Sequence, residues 1–394
     1  MTTPLDQLTD AQTELVALAR RIAQEELRPR AAEWDRRAEF PEEQFQLLRK
    51  AGLTALTVPV EYGGRGLGTF EACLVLEELA AGCLASAMTI QMQVNGPPRV
   101  IARIGTDQQR EEYLPRVADG SVCFSIAMTE PQAGSDGTAL QTTLSPHGDG
   151  FLLNGEKCHI TGALRSDAFL VFCRAPDTTG PDGIGAVLID RDVEGMAPIE
   201  TEEKMGGRAI AEGIMRFTDV PVRADQVVLM PRKGSRDGAR FLVRQFNPER
   251  CGNAAMAVGL ARAALEDAVA YVKERQQFGR AIVEFQGPQW KIADMATAID
   301  GARLLLWRAA RTDVEGFPGI RETAMAKLAA NEAAVMVTSE ALQLLGHKGY
   351  LTRYPMERYV RDAFGLGIGG GTTGILRNMV AGEVTGVRVS QRRS

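Results

Sequence analysis

The chain has 394 residues, which exceeds the roughly 250–300 residues at which a single hydrophobic core stops growing, so two or three domains are expected. Hydrophobic residues make up 45% and charged residues 24% of the sequence, values that are typical of a globular protein and argue against disorder. The net charge of −5 gives no indication of a nucleic acid or an anionic membrane as partner.

The six cysteines include no C-x-x-C pair, so their spacing indicates neither a zinc site nor a disulfide framework and favours a reducing compartment. The three histidines lie far apart in the sequence, and no metal site is expected. The N-terminus lacks the basic and apolar regions of a secretory signal, and no run of about 18 apolar residues could span a membrane. A soluble, cytoplasmic protein is therefore expected.

Residues 5–120 have the apolar periodicity of helices. Leu8, Leu15, Leu18 and Ile22 recur at helical spacing. Residues 45–48 continue this pattern as far as a glycine, and a turn-rich stretch follows at 59–68. Further helices are predicted over 70–81 and before the Gly-Pro-Pro sequence at 96–98. The N-terminal region, residues 1–120, is therefore predicted to be an α-helical domain.

The pattern changes near Gly120 to short β-like runs separated by turn residues. The runs are Cys123–Met128, Gly150–Leu153, Phe169–Cys173, Gly185–Ile189 and Gly213–Phe217. Such spacing is typical of a small β-barrel or sandwich, and the absence of βαβ alternation disfavours a dinucleotide-binding fold of the Rossmann type. A β-domain is predicted over residues 121–235.

The remaining residues, 236–394, have helical periodicity. Asn247, Pro248 and Glu249 resemble a helix start, with an N-cap residue, proline at the first helical position and an acid in the first turn. Small residues over 254–261 would allow a close helix–helix approach. Later helices are predicted over 286–311, 320–345 and 374–381, so four helices with short links predict an antiparallel bundle. The fold class is therefore α+β, with helical, β and helical domains in that order.

Three stretches carry recognisable motifs. The first is Met-Thr-Glu-Pro-Gln-Ala-Gly-Ser-Asp at 128–136, which resembles the flavin-binding signature of the acyl-CoA dehydrogenase family. The three stretches occur in the same order as in that family, which the whole chain resembles. The second is Glu-Arg-Gln-Gln-Phe-Gly-Arg at 274–280 with Phe-Gln at 285–286. The third extends over 343–372 and includes Gly-Tyr, Arg-Asp and Gly-Thr pairs. Each stretch alone could consist of ordinary turn, core or surface residues.

The resemblance implies that FAD is the cofactor. The residues that match its contacts on the β-domain side and near the C-terminus are Ile126, Met128, Thr129, Ser135, His159, Thr161 and Thr372. A further set matches contacts made to the diphosphate and adenosine of a neighbouring subunit's FAD: Arg275, Phe278, Gln286, Gln343 and His347. The planar guanidinium of Arg275 can bond two phosphate oxygens at once. A shared site implies at least a dimer, and the family resemblance implies a homotetramer.

Three positions depart from the family pattern. The family usually has tryptophan where His159 stands and glycine where His347 stands. Most members carry the catalytic glutamate at the position of Gly370, directly before a Gly-Thr pair, whereas this chain has no carboxylate there. The isovaleryl branch places its glutamate at the start of the long helix, and that position matches Glu249.

The resemblance therefore implies dehydrogenation of an acyl-CoA or acyl-carrier-protein thioester to the trans-2-enoyl thioester. Glu249 is expected to remove the α-proton, and Ser135, Arg250, Gly370 and Gly371 are expected to line the substrate site. An electron-transfer flavoprotein is the expected electron acceptor. The alternatives are an oxidase or monooxygenase of the same fold, a catalytically silent subunit of a hetero-oligomer, and a helical interaction protein. The acyl group and the pathway are not determined by these motifs.

Overall fold

The computed structural model describes residues 8–313, 317–387 and 391. Its N-terminal part is helical, as the periodicity predicts. The helices are α1 (Asp10–Ile22), α2 (Ala31–Arg37), α3 (Glu42–Lys50), α4 (Thr69–Gly82), α5 (Leu84–Val94), α6 (Pro97–Ile104) and α7 (Asp107–Ala118). A short π-helical segment follows α1, and a 3-10 turn at Val60–Tyr62 lies in the predicted turn-rich stretch.

Helix α4 lies at the centre of the helical core. All of its residues except Glu71 are buried, as expected for a helix that is apolar around most of its circumference. One core cluster joins α1, α4 and α5 to the C-terminal helices, so the two helical regions share an interior although the β-domain separates them in sequence.

The middle part of the chain forms eight strands. They are β1 (Phe124–Ala127), β2 (Thr143–His147), β3 (Gly150–Thr161), β4 (Ala168–Arg174), β5 (Ile184–Asp190), β6 (Met196–Glu202), β7 (Glu212–Val222) and β8 (Val227–Leu229). Their order is β6-β7-β3-β2-β4-β5-β8, and β1 pairs in parallel with β4. The sequence pattern missed β2, β6 and β8 because they are short or largely exposed.

Strand β4 has both faces covered. Ala168, Leu170 and Phe172 face a cluster shared with helices α6 and α7, whereas the alternate residues face a second cluster within the β-domain. This burial on both faces explains why the sequence of the strand is a continuous run of apolar residues. It also fixes the adjacent β1, which leads into the first predicted cofactor motif.

The C-terminal part consists of α8 (Asp237–Glu274), α9 (Gln286–Ala310), α10 (Ile320–Leu345), α11 (Met356–Leu366) and α12 (Thr373–Thr385). A two-stranded ribbon, β9 (Gln276–Gln277) and β10 (Arg280–Ala281), connects α8 to α9. The predicted helices over 286–311 and 320–345 are confirmed, and α11 is an additional helix. No described helix is long and apolar enough to cross a membrane.

The prediction that the long helix begins at Asn247 is wrong, because α8 begins at Asp237 and contains Pro248 in its interior. An interior proline removes one helical hydrogen bond and costs about 3 kcal/mol. Two side-chain hydrogen bonds are made on either side of the proline. Arg250 Nη1 donates to the Val243 carbonyl within α8 at 3.4 Å, and Asn247 Nδ2 donates to the Pro318 carbonyl at 2.8 Å. Helix α8 therefore continues through a segment that has the local chemistry of a helix start.

The close approach predicted from the small residues of α8 is confirmed. A Cβ atom at Gly259 would lie 2.0 Å from the Glu77 carbonyl oxygen of α4, so only glycine allows this contact. Buried ion pairs bind the same helices together. Arg303 of α9 donates to Glu77 at 2.9 Å, and Arg262 of α8 donates to Glu78 at 2.8 Å, with the four side chains almost fully buried.

Glu77→Gln is expected to lower the stability by about 3–5 kcal/mol, because it removes the buried carboxylate from the Arg303 guanidinium and leaves it only the exposed Asp300 as an ionic partner. Thermal unfolding monitored by circular dichroism tests this. The matched control is Glu33→Gln, which removes an exposed pair with Arg37 and should change stability by no more than about 0.5 kcal/mol. Equal melting temperatures for the two variants would show that the buried pair does not hold α4 and α9 together.

Candidate active site

The side chain of Glu249 lies inside the molecule, where α8 passes the N-terminal helices, and is only 8% exposed. Its Oε1 atom has no hydrogen-bond partner among the described residues. Burial raises the pKa of this carboxyl to about 8, while the neighbouring Arg250 acts in the opposite direction. The result is a carboxyl group that can exchange a proton near neutral pH and has an oxygen left open to a ligand.

The backbone at Glu249 is held from the opposite helix. Gln91 Nε2 of α5 donates to the Glu249 carbonyl oxygen at 3.1 Å, and Asn95 Nδ2 donates to Gln91 Oε1 at 2.9 Å. A Cβ atom at position 252 would lie 1.8 Å from Gln91 Oε1, so Gly252 permits this contact. The N-terminal helices therefore position the carboxyl, a role that the sequence pattern did not reveal.

Arg250 connects Glu249 to the glycine-rich loop that carries Gly370. Arg250 Nε donates to the Gly370 carbonyl at 3.3 Å, and Nη1 donates to Asn247 Oδ1 at 2.7 Å. Gly370 and Gly371 have φ angles of 73° and 104°, which glycine adopts without strain. The two alternative positions for the catalytic glutamate are therefore spatial neighbours, and only position 249 carries a carboxylate.

A buried lysine on α10 also supports this loop. Lys327 Nζ donates to the carbonyls of Gly371 at 3.0 Å and Leu366 at 3.1 Å, and to Asn331 Oδ1 at 3.0 Å. Burial, together with the nearby charge of Arg250, lowers the pKa of Lys327 to about 7. The sequence analysis missed this residue, although a lysine within the alanine-rich stretch of α10 was a signal that could have identified it.

The first predicted cofactor motif is anchored by a buried ion pair. Lys157 Nζ donates to Glu130 Oε1 at 2.7 Å and to the Met128 carbonyl at 2.9 Å. Glu130 also accepts from the Thr142 amide and hydroxyl at 2.9 and 2.6 Å. The nearby charge of Lys157 and these hydrogen bonds outweigh burial and lower the pKa of Glu130. The motif is therefore tied rigidly to β3.

The predicted cofactor residues of the β-domain lie around this anchored segment. The side chains of Thr129 and Ser135 make no hydrogen bond with described residues, and Ile126 and Met128 are partly buried. His159 is exposed, has a φ of 54° and pairs through Nδ1 with Glu202 at 2.7 Å. Thr161 donates to Glu212 at 3.2 Å. Thr372 caps α12 by accepting from the Ile375 amide at 3.3 Å, which gives it a structural role as well.

The second predicted set lies elsewhere on the surface, on the connection between α8 and α9 and at the end of α10. All five side chains are exposed: Arg275, Phe278, Gln286, Gln343 and His347. Phe278 is 94% exposed with a φ of 51°, an unusual position for a large aromatic side chain. No hydrogen bond between described residues joins this set to the β-domain set. The two predicted sets therefore lie on different elements of the chain, the β-domain on one side and the α8–α9 connection with the end of α10 on the other.

Comparison with known proteins identifies the family. Models of the N-terminal, middle and C-terminal acyl-CoA dehydrogenase domains match residues 9–121, 125–220 and 236–385. The 3-sulfinopropanoyl-CoA desulfinase of Paraburkholderia xenovorans (strain LB400) is 41% identical, over 98% of this chain and 99% of that protein. This chain belongs to the acyl-CoA dehydrogenase family.

Two further proteins are similar to this chain, one in sequence and one in structure. The acryloyl-CoA reductase (NADH) of Anaerotignum propionicum is 38% identical, over 96% of this chain and 95% of that protein. The structure of butyryl-CoA dehydrogenase from Megasphaera elsdenii superposes with a TM-score of 0.92 at 32% identity, over 98% of this chain and all of that chain. The family, the fold class and the enzyme class predicted from sequence are therefore confirmed, whereas the roles of individual site residues remain predictions.

Lys157→Met is expected to lower stability by about 3–5 kcal/mol, because the Glu130 carboxylate would remain buried without its partner. The double variant Lys157→Met/Glu130→Gln should recover part of the loss, since the uncompensated charge is then removed as well. Thermal unfolding of the two single variants and the double variant completes the cycle. Strictly additive losses would show that the two side chains do not support the motif as a unit.

Proposed function

We propose that this chain is an FAD-dependent acyl-CoA dehydrogenase that removes hydrogen from the α and β carbons of an acyl thioester, with Glu249 as the base. The observation that carries the proposal is the buried Glu249 carboxyl with an unpaired oxygen. The next residue, Arg250, donates to the carbonyl of Gly370, the position at which the family resemblance would otherwise place the glutamate. A silent subunit would not need a buried, unpaired carboxyl at this place, since such a group is costly to maintain.

The residues fit an FAD molecule shared between two chains. On one side, the hydroxyls of Thr129 and Ser135 have no partner among the described residues, and on the other Arg275 has no carboxylate partner among them. When bound, FAD would accept the hydride from the substrate β-carbon. Exposed Phe278 would then be covered by the neighbouring chain. This supports a homotetramer built from such dimers.

Glu249 would take the α-proton, while Arg250, Gly370 and Gly371 would border the thioester beside it. The two carbonyls of the glycine loop are already held by Arg250 and Lys327, so their orientation is fixed before substrate arrives. Preorganised groups cost no rearrangement during the reaction. Coenzyme A and an acyl carrier protein present the same pantetheine arm, and we place CoA first because the relatives act on CoA thioesters. An electron-transfer flavoprotein is the proposed acceptor.

Glu249→Gln is expected to slow flavin reduction by an acyl-CoA by on the order of 10²–10⁴, the usual contribution of a general base. FAD content should be unchanged, because the amide fills the same space. Anaerobic stopped-flow absorbance measures the rate. Asp237→Asn, which removes an acid from the true first turn of α8, is the control and should leave the rate within about twofold. Near-normal reduction in Glu249→Gln would place the base elsewhere.

The rate of flavin reduction is expected to rise with pH up to about 8 and then level off, because only the ionised Glu249 carboxylate can accept a proton. The stability of the wild type relative to Glu249→Gln should instead fall as pH rises. Between about pH 4.5 and 8 the folded carboxyl holds a proton that the unfolded chain has lost, so the wild type loses stability relative to Glu249→Gln as pH rises. Melting temperatures of both proteins across this range provide the check. A pH-independent difference would contradict the raised pKa.

Purified protein is expected to be yellow with about one FAD per chain, and Arg275→Ala should bind FAD more weakly because a charge-assisted phosphate contact is lost. FAD retention after gel filtration and light scattering measure both properties. Arg240→Ala, an exposed arginine near the other end of α8, is the control. An FAD-loaded monomer in light scattering would contradict the shared site.

A second candidate activity follows from the similarity to the desulfinase. Such a reaction would convert 3-sulfinopropanoyl-CoA and water to propanoyl-CoA and bisulfite, breaking the carbon–sulfur bond without net reduction of the flavin. Anaerobic incubation separates the two activities. Bleaching by butanoyl-CoA without sulfite release supports dehydrogenation, whereas sulfite release from 3-sulfinopropanoyl-CoA with an oxidised flavin supports desulfination.

A further inference from the structure

Gln245 is a second buried polar side chain with unused hydrogen-bonding capacity beside Glu249. It lies four residues before Glu249 on α8 and is 1% exposed. Neither its Nε2 nor its Oε1 atom has a hydrogen-bond partner among the described residues. Residues four apart on a helix lie on the same face, about 5–6 Å from one another, so the unpaired carboxamide and the unpaired carboxyl form one stripe.

The Glu249 end of this stripe faces α5, because Gln91 of that helix donates to the Glu249 carbonyl. At Gly252, one further turn along α8, an added Cβ atom would meet Gln91 and Asn95, the residue that caps the C-terminus of α5. Those two amides are bonded to each other and to the Glu249 backbone, so their hydrogen-bonding groups are in use. The helix contact beside the proposed base therefore presents carboxamides, whereas a slot for a long alkyl chain would need apolar walls.

An unpaired buried carboxamide is expensive, since leaving a buried donor or acceptor unsatisfied costs about 1–3 kcal/mol. Leucine has nearly the same volume and would avoid that cost, and Leu242 already occupies the same face one turn earlier. A glutamine at this position is therefore explained if a ligand supplies the missing partners. The ligand must carry an oxygen that accepts a hydrogen bond from Gln245 Nε2. A ligand that also carries a donor would satisfy Gln245 Oε1 as well.

We propose that Gln245 is a specificity residue that bonds a polar oxygen on a short acyl group, so that the preferred substrate is an acyl-CoA of few carbons with an oxygen-bearing substituent. This inference rests on the proposed function, because it takes the thioester to be bound beside Glu249. The two relatives described above, a 3-sulfinopropanoyl-CoA desulfinase and an acryloyl-CoA reductase, are both named for three-carbon acyl groups. One of these groups carries a sulfinate.

Three CoA thioesters of matched shape test the inference. Succinamoyl-CoA, succinyl-CoA and 4-methylpentanoyl-CoA carry a carboxamide, a carboxylate and an isopropyl group on the same carbon. Their Kd values are measured by anaerobic calorimetry with the FAD-loaded Glu249→Gln protein, which should not turn them over. We expect at least one of the two polar thioesters to bind on the order of tenfold more tightly than the isopropyl compound.

Adding Gln245→Leu should abolish this preference while leaving the melting temperature equal or higher, because an unpaired amide has been removed. Gln44→Leu is the matched control. Gln44 is also buried with an unpaired Nε2, but its Oε1 accepts from Ser86 at 2.6 Å, so its loss should lower the melting temperature and retain the preference.

Any of three outcomes would overturn the inference. The first is tighter binding of 4-methylpentanoyl-CoA than of the two polar thioesters while Gln245 is still present. The others are an equal change in all three Kd values after Gln245→Leu, and an equal loss of preference in the Gln44→Leu control. A separate measurement would show that Glu249 is not the base. In that case the flavin of Glu249→Gln would bleach with butanoyl-CoA, whatever the three Kd values are.

Discussion

The constraint on which this structure depends is the burial of the Glu249 carboxyl in the contact between the two helical regions. A carboxylate removed from water is strongly disfavoured unless it is paired, and the described residues provide no hydrogen-bond partner for its Oε1 atom. The pKa therefore rises to about 8, so the carboxyl changes its protonation state just above neutral pH. Placing the acid there requires α5 and α8 to approach closely, which Gly252 makes possible.

Buried cations complete the local electrostatics. Arg250 and Lys327 both donate to carbonyl oxygens of the glycine-rich loop, and burial lowers the pKa of each, to about 10 and about 7. Of the two, Arg250 acts on Glu249, where its charge favours the ionised carboxylate and opposes the effect of burial. The same two residues hold the glycine-rich loop in place.

Buried ion pairs occur both in the β-domain and in the helical core. In the β-domain, the Lys157–Glu130 pair joins the motif at 128–136 to strand β3. In the helical core, Glu77 and Glu78 connect α4 to α8 and α9 through buried arginines. Pairs of this kind contribute little net stability, but the loss of one partner is costly because it leaves a buried charge uncompensated. The second set of predicted cofactor residues, by contrast, is exposed and free to meet another chain.

Sequence alone determined the succession of helical, β and helical regions and most of the long helices, because apolar periodicity reports directly on which face is buried. It also identified the motif at 128–136 and the missing carboxylate at Gly370, which are visible as residue types at fixed spacing. It failed at Asn247, since local helix-start chemistry cannot reveal that α8 continues through Pro248 from a start at Asp237. Only the tertiary structure brought Gln91 to the Glu249 backbone and Lys327 to the glycine-rich loop. Those contacts join residues 158 and 44 positions apart, and no local pattern encodes them, because a buried polar group is recognisable only when its surroundings are known.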